Sequence, residues 1–132
     1  MYTDLSKSFI TVVLLLPLFL LTPAVVSADT SNKWRIEVDG GANSDGEMFF
    51  HVTPEDGQST EIRVTIADGT GENRIAKTIR DAFQVQLPKD NFHIEVDDGE
   101  DVLVKKKRGA PDFALTLESS TVKHTEIEIE KE

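Results

Sequence analysis

The chain has no cysteine in its 132 residues. This excludes disulfide staples, thiolate metal centres, a cysteine nucleophile and the acylated cysteine of a lipoprotein. The glycosylation sequon is also missing, since Asn32, Asn43, Asn73 and Asn91 all lack a hydroxyl residue two places on. Catalytic signatures are absent too: there is no Gly-x-Ser-x-Gly elbow, and Asp68-Gly69-Thr70-Gly71 lacks the lysine of a nucleotide loop. Positive charge is scarce, with 14 Lys+Arg against 24 Asp+Glu and a net charge of −10. Such a balance disfavours nucleic acid and anionic lipid as partners.

The one long apolar run is at the start. Met1 to Ser8 is polar and carries Lys7; Phe9 to Val26 is apolar and contains Pro17 and Pro23; Val26-Ser27-Ala28 then offers small residues for a cut after Ala28. This is the layout of a secretion signal. A retained membrane anchor is the competing reading, because the run just reaches spanning length. The two prolines, the cleavage-type residues and the lack of a basic flank favour removal, leaving no stable membrane anchor. Without residues 1–28 the chain keeps 13 Lys+Arg and 23 Asp+Glu. An exported domain with neither disulfide nor sequon fits a bacterial periplasm or cell surface.

What remains divides into a short polar lead, residues 29–33, and a single domain, residues 34–132, that holds itself together by its apolar core. Trp34, Ile36 and Val38 alternate with Arg35, Glu37 and Asp39; Met48, Phe50 and Val52 do so next, and then Ile62, Val64 and Ile66. That period of two predicts half-buried strands. The period then changes. Ile75, Ile79, Ala82, Phe83 and Gln86/Leu87 make one helical stripe, with Thr70 as the expected N-cap and Pro88 as the stop. Phe92, Ile94 and Val96 resume the alternation, followed by Val102 and Val104, then Phe113, Leu115 and Leu117. A change of phase between Val122 and Ile127 predicts a break near His124. The expected fold is α+β, with a mostly antiparallel sheet of order βββ-α-ββββ covered by one amphipathic helix.

The register of the second hairpin follows from burial. A two-residue Asp98-Gly99 turn would set Val96 against Asp101 and mix the faces. A three-residue loop, Asp98-Gly99-Glu100, pairs Val96 with Val102, Ile94 with Val104, His93 with Lys105 and Asp97 with Asp101. Leu103 is then left on the polar face.

From Thr60 to Glu118 the chain runs strand, IADGTGEN, the helix IAKTIRDAF, then FHIEVDDGEDVLVKKK, a glycine turn and FALTL. This succession resembles the βαββ modules of flagellin-type and phage-tail-type structural proteins. The resemblance implies a non-catalytic assembly or adhesion role, with a protein partner or a homo-oligomer, and no site residues.

Candidate chemistry is sparse. Asp97, Asp98, Glu100 and Asp101 crowd four carboxylates into one turn, a possible Ca²⁺ site because that ion takes about six to eight oxygens. Asn43-Ser44-Asp45-Gly46-Glu47 is a second oxygen-rich loop, but in calcium-loop register it would put Gly41 first and Val52 last. Otherwise both are solvated turns. Lys105-Lys106-Lys107-Arg108 is either an anion patch or the cross-strand partner of Glu126, Glu128 and Glu130. His51, His93 and His124 are too widely spaced to suggest a common zinc site. The expected function is that of an exported, non-catalytic binding or structural module. The alternatives are a calcium-dependent surface domain using the acidic turn, and a small hydrolase in which His51 or His93 lines a pocket with a carboxylate.

Overall fold

A computed structural model describes residues 29–132; the leader and its cleavage at Ala28 lie outside the described residues. The element order is β1 (Lys33–Asp39), β2 (Gly46–Pro54), β3 (Thr60–Ile66), α1 (Glu72–Gln86), β4 (Phe92–Asp97), β5 (Asp101–Lys106), β6 (Phe113–Ser120) and β7 (Glu126–Lys131). The α+β class and the expected order are met. The seven strands divide into two antiparallel sheets, β4-β5-β1-β7 and β3-β2-β6. The lead is tied down rather than loose, because Ser31 bridges to Phe113 and Lys33 already belongs to β1.

Alternation dictates what lies between the sheets. Ile36, Met48, Phe50, Val52, Ile62, Val102, Val104 and Phe113 are fully buried in one apolar cluster. Phe92 of one sheet meets Phe113 of the other edge to face, with ring centres 5.1 Å apart. The buried Trp34 indole N–H donates to the Phe113 carbonyl at 2.8 Å, so the largest side chain leaves no polar atom orphaned.

The helix lies along the side of the molecule where β3 and β4 are the outer strands. Ile75, Ala76, Ile79 and Phe83 face inward, and Phe83 packs edge to face on Phe50 at 5.2 Å. Its polar side chains also occupy the strand edges. The Gln86 amide accepts from the Arg63 N–H and donates to the Arg63 carbonyl, at 3.0 and 2.9 Å, as a neighbouring strand would. Gln84 donates to the Ile94 carbonyl at 3.1 Å. Two of the four sheet edges are thereby blocked against pairing with another chain.

Helix termination follows expectation: the last helical residue is Gln86, and Leu87, before Pro88, is extended. The start does not. Gly71 is the N-cap, without a side-chain bond, and the Thr70 hydroxyl turns back to the Ala67 carbonyl at 2.7 Å. Threonine closes a turn here instead of capping the helix.

The β4–β5 hairpin has the expected register throughout, with Asp98 and Gly99 at positive φ in the loop. Leu103 is buried rather than stranded, although it stands outside the core cluster, between Glu95 and Arg35 on the outer sheet face. The proposed pairing of the lysine strand with the terminal glutamates is overturned. β1 lies between β5 and β7, so Lys105 bonds Glu95 at 2.6 Å and Lys106 pairs with Asp112 at 3.2 Å.

The break near His124 is real, and it is held by a glycine. Gly40 has φ +84°, and a Cβ there would lie 2.5 Å from the His124 backbone oxygen. Gly109 has φ +88° with nothing within 4 Å. Gly109→Ala is therefore expected to cost only the left-handed conformation, about 1–2 kcal/mol. Gly40→Ala should cost that plus a backbone displacement, and urea denaturation of the two variants measures the difference.

Candidate functional site

The outer face of the four-stranded sheet carries charge in rows. One row crosses all four strands: Asp97 faces Asp101, Asp101 faces Glu37, and Glu37 faces Glu128. Beyond it, Asp39 faces Glu126. Like charges set directly opposite one another destabilise a sheet, so every strand pair in this sheet carries at least one unfavourable contact. The next row contains Glu95, Leu103, Arg35 and Glu130, and the one after it holds His93, Lys105 and Lys33, with Glu132 beside Lys33. Charge thus runs from acidic to basic along β5 and β1, whereas β7 stays acidic throughout on this face.

Arg35 is the counterweight. Its guanidinium forks onto Glu132, with Nε and one terminal nitrogen donating at 2.9 and 2.8 Å, and it also donates to Asp101 at 2.6 Å and to Asp97 at 3.1 Å. The Glu132 and Asp101 hydrogen bonds hold the guanidinium well above the ordinary arginine range, and Arg35 in turn holds Glu132 down to about 2. Asp101, buried on this outer face, is 9% exposed and depends on this partner.

The acidic turn is split by this arrangement. Asp97 and Asp101 converge on Arg35, whereas Asp98 is exposed at the loop and the Glu100 carbonyl accepts from the Val38 N–H at 3.2 Å. A cation bound by all four carboxylates would have to displace the guanidinium. The other oxygen-rich loop is occupied with internal bonds: Asp45 accepts from the Asp68 N–H and Ser44 from the Lys123 N–H, at 2.8 and 3.0 Å.

Where the acidic row reaches the end of the sheet it opens into a cleft. Its lining includes Glu37, Asp39, Glu100 and Asp101 together with Glu126 and Glu128 of β7, and Glu72 from the first turn of α1. Glu72 accepts from the Gly40 N–H at 3.0 Å. Glu130, on the same face of β7, is pushed above the usual carboxylate range, first by its hydrogen bond with Glu128 and then by the repulsion of that neighbour. β7 itself is an outer strand, paired on one side only, with β1.

The three histidines stay apart, as their spacing predicts. His93 lines a largely apolar cleft with Val85, Leu87, Pro88 and Phe92, and its Nε2 lies 3.2 Å from a Glu95 oxygen outside that lining. His124 bonds the Gly41 carbonyl through Nδ1 at 3.1 Å. His51, on the outer face of the other sheet, stands beside Glu61 and Glu118. Sequence reasoning missed this group. Glu61 could have been found as the facing residue of a β2–β3 hairpin, but Glu118 reaches His51 through an irregularity in β6 that alternation does not announce. No family model and no curated protein matches this chain.

Proposed function

We propose that the domain is an exported, non-catalytic binding module whose acidic sheet face and β7 edge receive an extended, basic segment of a protein partner. The observation that carries this reading is the row Asp97, Asp101, Glu37 and Glu128, in which like charges oppose each other across every strand pair of the sheet. Arg35 offsets Asp97 and Asp101, but Glu37 and Glu128 have no ion-pair partner among the described residues. A Lys- or Arg-bearing strand laid along β7 would relieve that row, with main-chain hydrogen bonds supplying affinity and charge supplying selectivity. Self-pairing through β7 would instead set glutamate against glutamate, which favours a different partner over a second copy. The assembly or adhesion role implied by the flagellin-type and phage-tail-type resemblance would use the same strand addition. Export is supported by the leader, and an intact mass beginning at Asp29 tests it.

The binding reading has a two-sided test. Glu37→Gln with Glu128→Gln removes facing repulsion, so the double variant should melt at a higher temperature than the parent near neutral pH. The sign follows from Glu130. A carboxyl whose folded value is raised favours folding fully below its unfolded value, and that advantage is lost as pH rises through the folded value. The gain on removing Glu128 should therefore grow as pH rises and disappear in acid. The same double variant should lose affinity for a synthetic strand-forming peptide that alternates lysine and threonine. A variant that melts lower, or that binds the peptide as well as the parent, overturns the reading.

A further inference from the structure

On the side of the molecule away from the acidic row, three strands each present one metal-ligating side chain at a single place. β2 supplies His51, β3 supplies Glu61 and β6 supplies Glu118, and one ligand atom from each lies within 4.8 Å of the others. The imidazole Nε2 is 2.6 Å from a Glu118 oxygen and 3.4 Å from a Glu61 oxygen. His51 and Glu61 are direct cross-strand partners. Glu118 is brought in by a bulge: Phe50 faces Leu117 and Phe49 faces Ser119, which leaves Glu118 as the extra residue of β6. Bulges of this kind re-aim one side chain at the cost of regular pairing.

The electrostatics leave the two carboxylates short of a permanent counter-charge. Among the described residues, the ion-pair partner of both Glu61 and Glu118 is His51, which is cationic only when protonated. Arg63, the fixed cation on that sheet, feels Glu61 only at longer range, its ion pair being with Glu47. The three side chains are one-third to three-fifths exposed, so ions can reach them and the ligands can adjust.

We propose that His51, Glu61 and Glu118 form a three-ligand site for a zinc-type divalent cation, with one coordination position left to water or to a ligand from outside. One imidazole nitrogen and two carboxylate oxygens belong to the zinc donor set, in which bonds run about 2.0–2.2 Å. In a tetrahedral site such bonds set ligand atoms about 3.4 Å apart, which is the His51–Glu61 separation and a modest opening of the His51–Glu118 pair. The nitrogen ligand and the low count disfavour Ca²⁺. Bound metal would tie all three strands of this sheet together across its outer face, independently of whatever the opposite sheet binds.

The test is a titration of the purified chain with ZnCl₂ and, separately, CaCl₂. Binding is followed by calorimetry and by the imidazole proton resonances. One zinc per chain is expected, with the His51 resonances shifting and those of His93 and His124 unmoved, and no heat from calcium. His51→Gln, Glu61→Gln and Glu118→Gln should each weaken zinc binding at least about 10- to 100-fold, the loss that follows even from removing an outer-shell partner. Asp90→Asn, at an exposed turn, should leave it unchanged. Circular dichroism of each variant without metal checks that the fold persists, and the resonance shifts need no variant at all. Absence of binding at millimolar zinc, binding that His51→Gln does not weaken, or shifts centred on His93 or His124 would each overturn the proposal.

Discussion

Arg35→Gln is expected to destabilise the domain by about 2–4 kcal/mol, measured by urea denaturation near neutral pH. Removing one member of a buried ion pair leaves the other charge desolvated, typically a loss of about 3–5 kcal/mol. The lower range applies here because Asp97 and Glu132 keep roughly a third or more of their side-chain surface in water. Asp101 is the group left exposed to the full penalty, since its side chain is 13% accessible and Arg35 is its ion-pair partner. Acid should narrow the gap between parent and variant. Glu132 is held down to about 2 by Arg35, against an ordinary value of 4.5. Its contribution is complete above pH 4.5 and is lost as pH falls towards 2. A variant whose deficit is the same at pH 3 and pH 7 would show that the Arg35 network is not the source.

Phe83→Ala is expected to cost about 3–5 kcal/mol, as deletions of buried phenylalanines do. Total stability for a domain of this size is about 5–15 kcal/mol, so the variant should be close to unfolding at body temperature. Phe83 is wholly inaccessible and its ring meets Phe50 edge to face. It also anchors the C-terminal half of the helix, the part that carries Gln84 and Gln86 onto the strand edges. Loosening that half exposes the N–H and C=O of Arg63 and the carbonyl of Ile94. The variant should therefore aggregate through β3 and β4 as well as melt early, and light scattering at sub-denaturing temperature reads that second effect. Val85→Ala, at a position 83% exposed on the same helix, should change neither property.

The parts of this fold that could be read from the residues are those governed by local alternation and by fixed backbone chemistry. Strand phases followed from which residues must be buried, and the β4–β5 register followed because a slip of one would have mixed Val96 and Val102 with carboxylates. Pro88 stops a helix whatever surrounds it. The rest depends on which strands become neighbours, and separation along the chain says little about that. β1 inserts between β5 and β7, so the lysines and terminal glutamates that match in charge never meet. The same insertion builds the acidic row from four separate strands and brings Arg35 of β1 onto both Asp97 and Asp101, so that a turn with metal-site composition becomes an arginine clamp. Leu103 stands on the polar face of its strand yet is buried there, because the facing Arg35 and Glu95 carry long stems that shield an apolar neighbour. Beside His51, Glu61 follows from the β2–β3 pairing, whereas Glu118 sits at a bulge in β6, which no periodic pattern marks.

Hydrogen exchange resolved along β7 is the most direct measurement, made with and without the alternating lysine–threonine peptide. The binding account requires the amides of Glu126–Lys131 to gain protection when peptide is added, and to lose that gain in high salt or on Glu37→Gln with Glu128→Gln. Protection that appears on β3 or β4 instead, or no change anywhere along β7 at saturating peptide, would contradict it.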